Sequence, residues 1–261
     1  MLGYALLQGY PDISHFVTTR QGGCGKGTYG TFNCTPYSGD EPDVVCRNQQ
    51  LLCDALTVSP KELVIPFQTH GVEIGKIDRR YISFSDEERK TYLQGKDALV
   101  TNMPGYCLCV STADCVPLLL FDKANRVIAA VHAGWRGTVA RIVERTIETM
   151  RREFASEPKD MLACIGPSIS LESFEVGEEV WQAFADANFE MERISLRNQD
   201  TGKWHLDLWE ANRLQLLGKG VSAGSIELAG VCTYLNEDRF FSARRLGIKS
   251  GRILSGIMLN Q

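Results

Sequence analysis

The sequence predicts one α/β domain of mixed α+β character spanning residues 1–261. Three observations carry that expectation. Apolar runs of five or six residues, Cys107–Thr112, Val116–Phe121 and Val127–Val131, are bounded by Gly, Pro and Asp, the pattern of buried strands. Other segments space their apolar residues at helical intervals. No repeat, low-complexity tract or linker divides the chain, and the two kinds of segment interleave without strict alternation.

In order, Tyr4–Gln8 and Ile13–Thr19 read as short strands across the turn residues Gly9-Tyr10-Pro11-Asp12. A loop headed by Arg20 follows, with five glycines between Gly22 and Gly30. Such a backbone under a cation can cradle phosphate, yet no G-x-x-x-x-G-K-[ST] pattern is present, and a plain surface loop is an equal reading. Asp43–Leu56, after Pro42, has apolar residues at 44, 45, 51, 52, 55 and 56 and reads as a helix. Leu63–Gln68 is a strand with Val72–Ile77 as its partner, and residues 84–96 are a polar excursion. Beyond the central strands, Thr138 caps a helix with apolar positions 139, 143, 147, 150 and 154. Met161–Ile165 reads as a strand, Glu175–Ala187 and Asp207–Leu217 as helices, and Leu228–Thr233 and Ile253–Leu259 as late strands.

The formal net charge of −4 gives no general pull toward nucleic acid or an anionic membrane. No apolar run approaches the roughly 20 residues of a membrane span, and the first residues lack the basic and small-residue features of a signal peptide. Nine cysteines without a small disulfide framework fit a reducing cytoplasm. Cys46, Cys53, Cys164 and Cys232 lie within apolar patterns and read as buried, inert thiols.

Only four histidines exist, which narrows the chemistry. His70 in QTHG, Cys115 in ADCVP and His132 in VHAGW each end or follow an apolar run. Strand ends and the turns they hold are favoured places for chemistry. Two imidazoles and a thiolate suit Zn²⁺, with a fourth position free for water or substrate. The separations of 45 and 17 residues match no short-range zinc motif. Two alternatives stand beside the metal: Cys115 as a nucleophile with His132 or His70 as base, and a buried thiol near two structural histidines. His15 and His205 read as structural. Asp114, next to Cys115, reads equally as a group that orients a ligand imidazole or carries a proton and as turn chemistry before a strand. Arg136, with Arg20 and Arg244, makes a candidate phosphate pocket.

The segments HFVTTRQGG, PFQTHG, DALVTN, STADCVPLLLFD, VHAGWRGT, IGPSIS…FEVGEEV, HLDLW and FFSARR together resemble the laccase-domain family. Its members are labelled polyphenol oxidases and are also described as purine nucleoside phosphorylases. The resemblance implies a single-domain α/β sandwich similar to the catalytic domain of cytotoxic necrotizing factor. It also implies a metal site at His70, Cys115 and His132. The implied reaction is phosphorolysis of adenosine, inosine, guanosine and methylthioadenosine, with adenosine deamination as a second activity. Purine nucleosides and inorganic phosphate are then the partners of a monomer or small homo-oligomer, and zinc is the cofactor. Copper is the rival metal, as a single ion in the His₂Cys site. Four histidines and no His-x-His pair cannot build a multicopper cluster. One departure, Ser173-Phe174 where relatives often have Cys-Tyr, bears on a pocket wall and on substrate preference.

Overall fold

The computed structural model describes residues 1–261. The strands are β1 (Ile13–Val17), β2 (Leu63–Val64), β3 (Glu73–Lys76), β4 (Lys96–Thr101), β5 (Cys107–Thr112), β6 (Val116–Asp122) and β7 (Val127–Ala133). They continue with β8 (Met161–Ile165), β9 (Glu175–Val176), β10 (Ser195–Arg197), β11 (Trp204–Leu206), β12 (Ile226–Leu228) and β13 (Ile253–Leu259). They form a six-stranded sheet in the order β12-β8-β6-β7-β4-β3, a four-stranded sheet β1-β13-β5-β2, and a small sheet β10-β11-β9.

Alternation along the strands explains the layering. Successive side chains point to opposite faces. On β7, Val127, Ala129 and Val131 enter one apolar cluster and Ile128 and Ala130 another; on β6, Leu118 and Leu120 divide from Leu119 and Phe121 in the same way. The first cluster is closed by the helices Ile142–Phe154, Glu178–Asp186 and Leu208–Gly218. The second lies between the two larger sheets, where Leu108, Val110, Ile253 and Ile257 meet it. On the outer face of the four-stranded sheet, Cys107, Cys109, Leu254 and Met258 pack against Leu52 of the helix Pro42–Leu56. The central strands are thus buried on both faces, which is why they read as unbroken apolar runs. Each fully buried Leu there is worth about 1.5–3 kcal/mol.

Several expectations need correction. Ala5–Gln8 is a short helix, not a strand. Pro66 ends the strand at Leu63–Val64 early, because proline cannot donate to the ladder. The segment Val72–Ile77 pairs in parallel with β4, in the other sheet. The polar excursion holds a capped helix, Asp86–Tyr92. The helix after β7 is two helices, Trp135–Val139 and Ile142–Phe154, because Arg141 turns left-handed at φ 63°. Thr138 lies inside the first rather than capping the second. Residues Glu175–Val176 are strand, and the helix starts after Gly177. The late strand is Ile226–Leu228 rather than Leu228–Thr233. All nine cysteines are free, but Cys46 is exposed, contrary to its apolar setting in the sequence. No helix is long and apolar enough to cross a membrane.

Candidate metal centre and active site

The site sits at one end of the six-stranded sheet. Pairing of β6 with β7 sets Val116 opposite Ala133, so Cys115 leaves the sheet beside Gly134. Pairing of β4 with β7 sets Ala98 opposite Val131, so Asp97 and His132 face each other one residue further along. The Asp97 carboxylate is fully buried and grips two parts of the site at once. Its Oδ1 lies 2.7 Å from His132 Nδ1 and accepts the His70 backbone N–H at 2.9 Å. Its Oδ2 accepts the Gly71 N–H at 2.7 Å and the Thr69 N–H at 3.2 Å. Three amides held by one carboxylate define the turn that places His70, whose φ of 63° is left-handed.

The nitrogen and sulfur ligand atoms of His70, Cys115 and His132 all lie within 4.8 Å of one another. The two rings meet edge-on, centroids 4.8 Å apart. Because an ionised carboxylate only accepts, His132 Nδ1 must donate to Asp97, leaving Nε2 toward the other ligands. This carboxylate–imidazole pairing is the arrangement that commonly supports metal-bound histidines. Gly134 supplies the room. A Cβ there would stand 2.9 Å from His70 Cδ2, 3.1 Å from Cys115 Sγ and 3.7 Å from His132 Nε2. The donor set and this clearance fit a divalent ion of the zinc or copper kind. Gly134→Ala is accordingly expected to weaken metal binding by about tenfold or more while the fold persists, read by metal titration alongside thermal melting.

The electrostatics agree. Burial pushes the Cys115 thiol up, but His132 and His70 beside it more than compensate, bringing it down to about 6. Burial pushes His132 down, while the Cys115 thiolate and the Asp97 carboxylate raise it to about 9. Each group thus favours the charged form of the other, so the pair stands as thiolate and imidazolium in the metal-free protein.

A cleft of about 500 Å³ opens onto the three ligands, a size suited to a small-molecule substrate. Its walls include Tyr37 and Phe67, whose rings meet edge-on at 5.1 Å. Ser111 and Thr112 from the end of β5, and the cations Lys249 and Arg252, also line it.

The other expected site residues are placed as follows. Asp114 is adjacent to Cys115 at φ 89°, with Oδ1 accepting from Thr233 Oγ1 at 2.8 Å and Oδ2 from the Arg244 N–H at 2.7 Å. It shapes the turn that carries Cys115 and is not part of the cleft wall. Arg20 donates to the carbonyls of Gly30 and Glu237 and stacks over Phe241. Arg244 donates to the Glu175 carbonyl, and Arg136 is exposed and stacks on Trp135 at 4.3 Å. None of the three lines the cleft. The glycine loop spells Gly25-Lys26-Gly27-Thr28-Tyr29-Gly30, which has G-x-G-x-x-G spacing. It leads only into the 3-10 turn Gly27–Tyr29, so no helix N-terminus faces a phosphate there. His15 accepts the Tyr4 N–H at 2.9 Å, and His205 Nδ1 lies 3.0 Å from the Leu171 carbonyl.

Sequence reasoning missed Asp97, Lys249 and Arg252. The signal for Asp97 was a lone carboxylate heading the buried run Ala98–Val100. An unpaired charge does not enter a core without a partner.

A family model described as "Multi-copper polyphenol oxidoreductase laccase" matches residues 14–260. The chain is 60% identical over 261 residues to a purine nucleoside phosphorylase of Bacteroides thetaiotaomicron, covering 100% of this chain and 97% of that one. It is 42% identical over 245 residues to adenosine deaminase RL5 from an unknown prokaryotic organism, covering 94% and 93%. The crystal structure of YlmD from Geobacillus stearothermophilus superposes with a TM-score of 0.89 at 30% identity, over 97% of this chain and 93% of that one.

Proposed function

The chain belongs to the laccase-domain family, of the purine nucleoside phosphorylase type represented by YlmD and YfiH, and from that premise we propose that it is a zinc-dependent purine nucleoside phosphorylase. Its substrates are adenosine, inosine, guanosine and methylthioadenosine, with adenosine deamination as a second activity. The observation that carries this reading is the convergence of His70, Cys115 and His132 on the lining of a cleft of about 500 Å³. The names of the 60% and 42% identical relatives support the two reactions.

Phosphorolysis breaks the bond between ribose and base, with phosphate as the incoming group. The protein must exclude water, hold both reactants and meet the charge that develops. Tyr37 and Phe67 offer an aromatic wall on which a purine can stack. His70, Cys115 and His132 would hold the metal, and Asp97 fixes the tautomer of His132 and the turn of His70. When bound, the metal supplies a Lewis-acid centre for a substrate oxygen or an acidified water, the latter suited to deamination.

Purified protein given inosine is expected to release hypoxanthine only when phosphate is present, in step with ribose 1-phosphate. Hypoxanthine released equally without phosphate would overturn the reading. Metal analysis of the same sample distinguishes zinc from copper.

The thiolate–imidazolium pair favours one other reading, a cysteine hydrolase with Cys115 as nucleophile. The expected likeness to the cytotoxic necrotizing factor domain would fit it. It requires a thioester intermediate and activity that survives chelation.

A further inference from the structure

On one side of the cleft, β13 runs antiparallel to β5, with Ile253 opposite Thr112 and Leu254 opposite Ser111. Arg252, immediately before β13, therefore reaches the end of β5 and the turn that carries Cys115. Residues 248–252 are pinned. Thr28 Oγ1 donates to the Lys249 carbonyl at 2.7 Å, and the Arg252 N–H donates to Asn33 Oδ1 at 3.1 Å. The Arg252 guanidinium is caged by its own loop, with Nη1 donating to the Ser250 carbonyl at 2.6 Å and Gly251 at 3.0 Å, and Nη2 to Ile248 at 2.9 Å. That uses three of its five N–H groups and leaves Nε–H and one Nη2–H without a protein partner.

No salt bridge reaches Lys249 or Arg252, although the protein carries a net charge of −4. Beside them, Ser111 lines the cleft and its Oγ has no hydrogen-bond partner, while Thr112, the next residue of β5, turns its side chain to the opposite face. Buried polar groups are rarely left unsatisfied in a native protein. Two cations without a carboxylate partner and one orphaned hydroxyl on one wall are donors awaiting an anionic acceptor.

We propose that Arg252, Lys249 and Ser111 form the inorganic phosphate subsite of this cleft. The proposal rests on the phosphorolytic reading of the same site. It places the incoming phosphate on the wall formed by β5 and the 248–252 loop, and not at Arg20, Arg136 or Arg244. Arg252 acts as a pre-oriented fork, its cage holding the remaining donors fixed, and Lys249 adds a mobile charge at the rim.

The test uses inorganic phosphate as the probe, with Lys249→Gln and Ser111→Ala in the metal-loaded full chain. Calorimetric titration is expected to show phosphate binding to the wild type, weakened about fivefold or more in each variant. In steady-state assays the KM for phosphate rises by a similar factor, while the KM for inosine moves less than about twofold. A purely structural role for these side chains would lower the melting temperature and leave the phosphate KM alone. Phosphate affinity unchanged in both variants, or absent from the wild type, overturns the subsite. If phosphate binds here but no ribose 1-phosphate ever forms, the subsite stands and the phosphorolytic reading falls. If phosphorolysis proceeds with the phosphate KM unmoved in the variants, the reverse holds.

Discussion

Cys115→Ala is expected to strip the bound metal and to reduce both phosphorolysis and deamination by at least about a hundredfold. The reason lies in the donor set. Three ligand atoms within 4.8 Å of one another make a site that two imidazoles alone do not close. The thiolate is also the principal charge raising His132, and without it that imidazole falls back toward its ordinary value. Cys115→Ser is the sharper control, since a hydroxyl keeps the volume but remains protonated at neutral pH. Losing the metal should lower the melting temperature of either variant toward that of metal-free wild type, which is the reference for judging the fold. Metal stoichiometry by elemental analysis and initial rates on inosine decide the matter. Full activity in a metal-free Cys115→Ala protein would remove the site from contention.

Asp97→Asn is expected to cost about 10–100-fold in metal affinity and activity, and Asp97→Ala about 3–5 kcal/mol in stability as well. An amide side chain offers one acceptor where the turn supplies three N–H donors and His132 a fourth. Its NH₂ group would confront one of those donors. The pH dependence follows from the sign of the shift. Burial pushes the Asp97 carboxyl up, but His132 and the amides of Gly71 and Thr69 more than offset it, so the folded-state value is lowered. Its contribution is present above the unfolded-state value near 3.9 and is lost as pH falls through the folded-state value. Melting curves between about pH 7 and pH 3 should therefore lose an acid-sensitive component in Asp97→Asn that the wild type retains. Identical acid profiles for the two proteins would count against this role.

How much of this was legible beforehand depends on how local each signal is. The runs Cys107–Thr112, Val116–Phe121 and Val127–Val131 were readable because strands buried on both faces have no polar alternation to disguise them. Cys115 and His132 were readable as reactive groups at the ends of such runs, and His70 as the turn after another. What the chain does not spell out is partnership. Val72–Ile77 follows Leu63–Gln68 closely but pairs with β4, a choice set by which apolar face it can bury. The break at Arg141 arises from a left-handed residue that no periodicity marks. Arg20, Arg136 and Arg244 sit in conspicuous motifs, whereas the cations of the cleft wall, Lys249 and Arg252, come from the unremarkable segment KSGR. Residue type marks a cation; only tertiary placement says which cations line the cleft.

The hydrogen bond between Asp97 and His132 has a consequence for assembly as well as for chemistry. Strands β4 and β7 are apolar on both faces, so sliding one past the other by a single residue would exchange one set of aliphatic side chains for another at little hydrophobic penalty. The same slip would strand a carboxylate among hydrocarbon and swing the imidazole into the helix-facing layer. A charged pair in an otherwise greasy sheet thus works as an alignment key: the strands can settle only where the ligands are assembled.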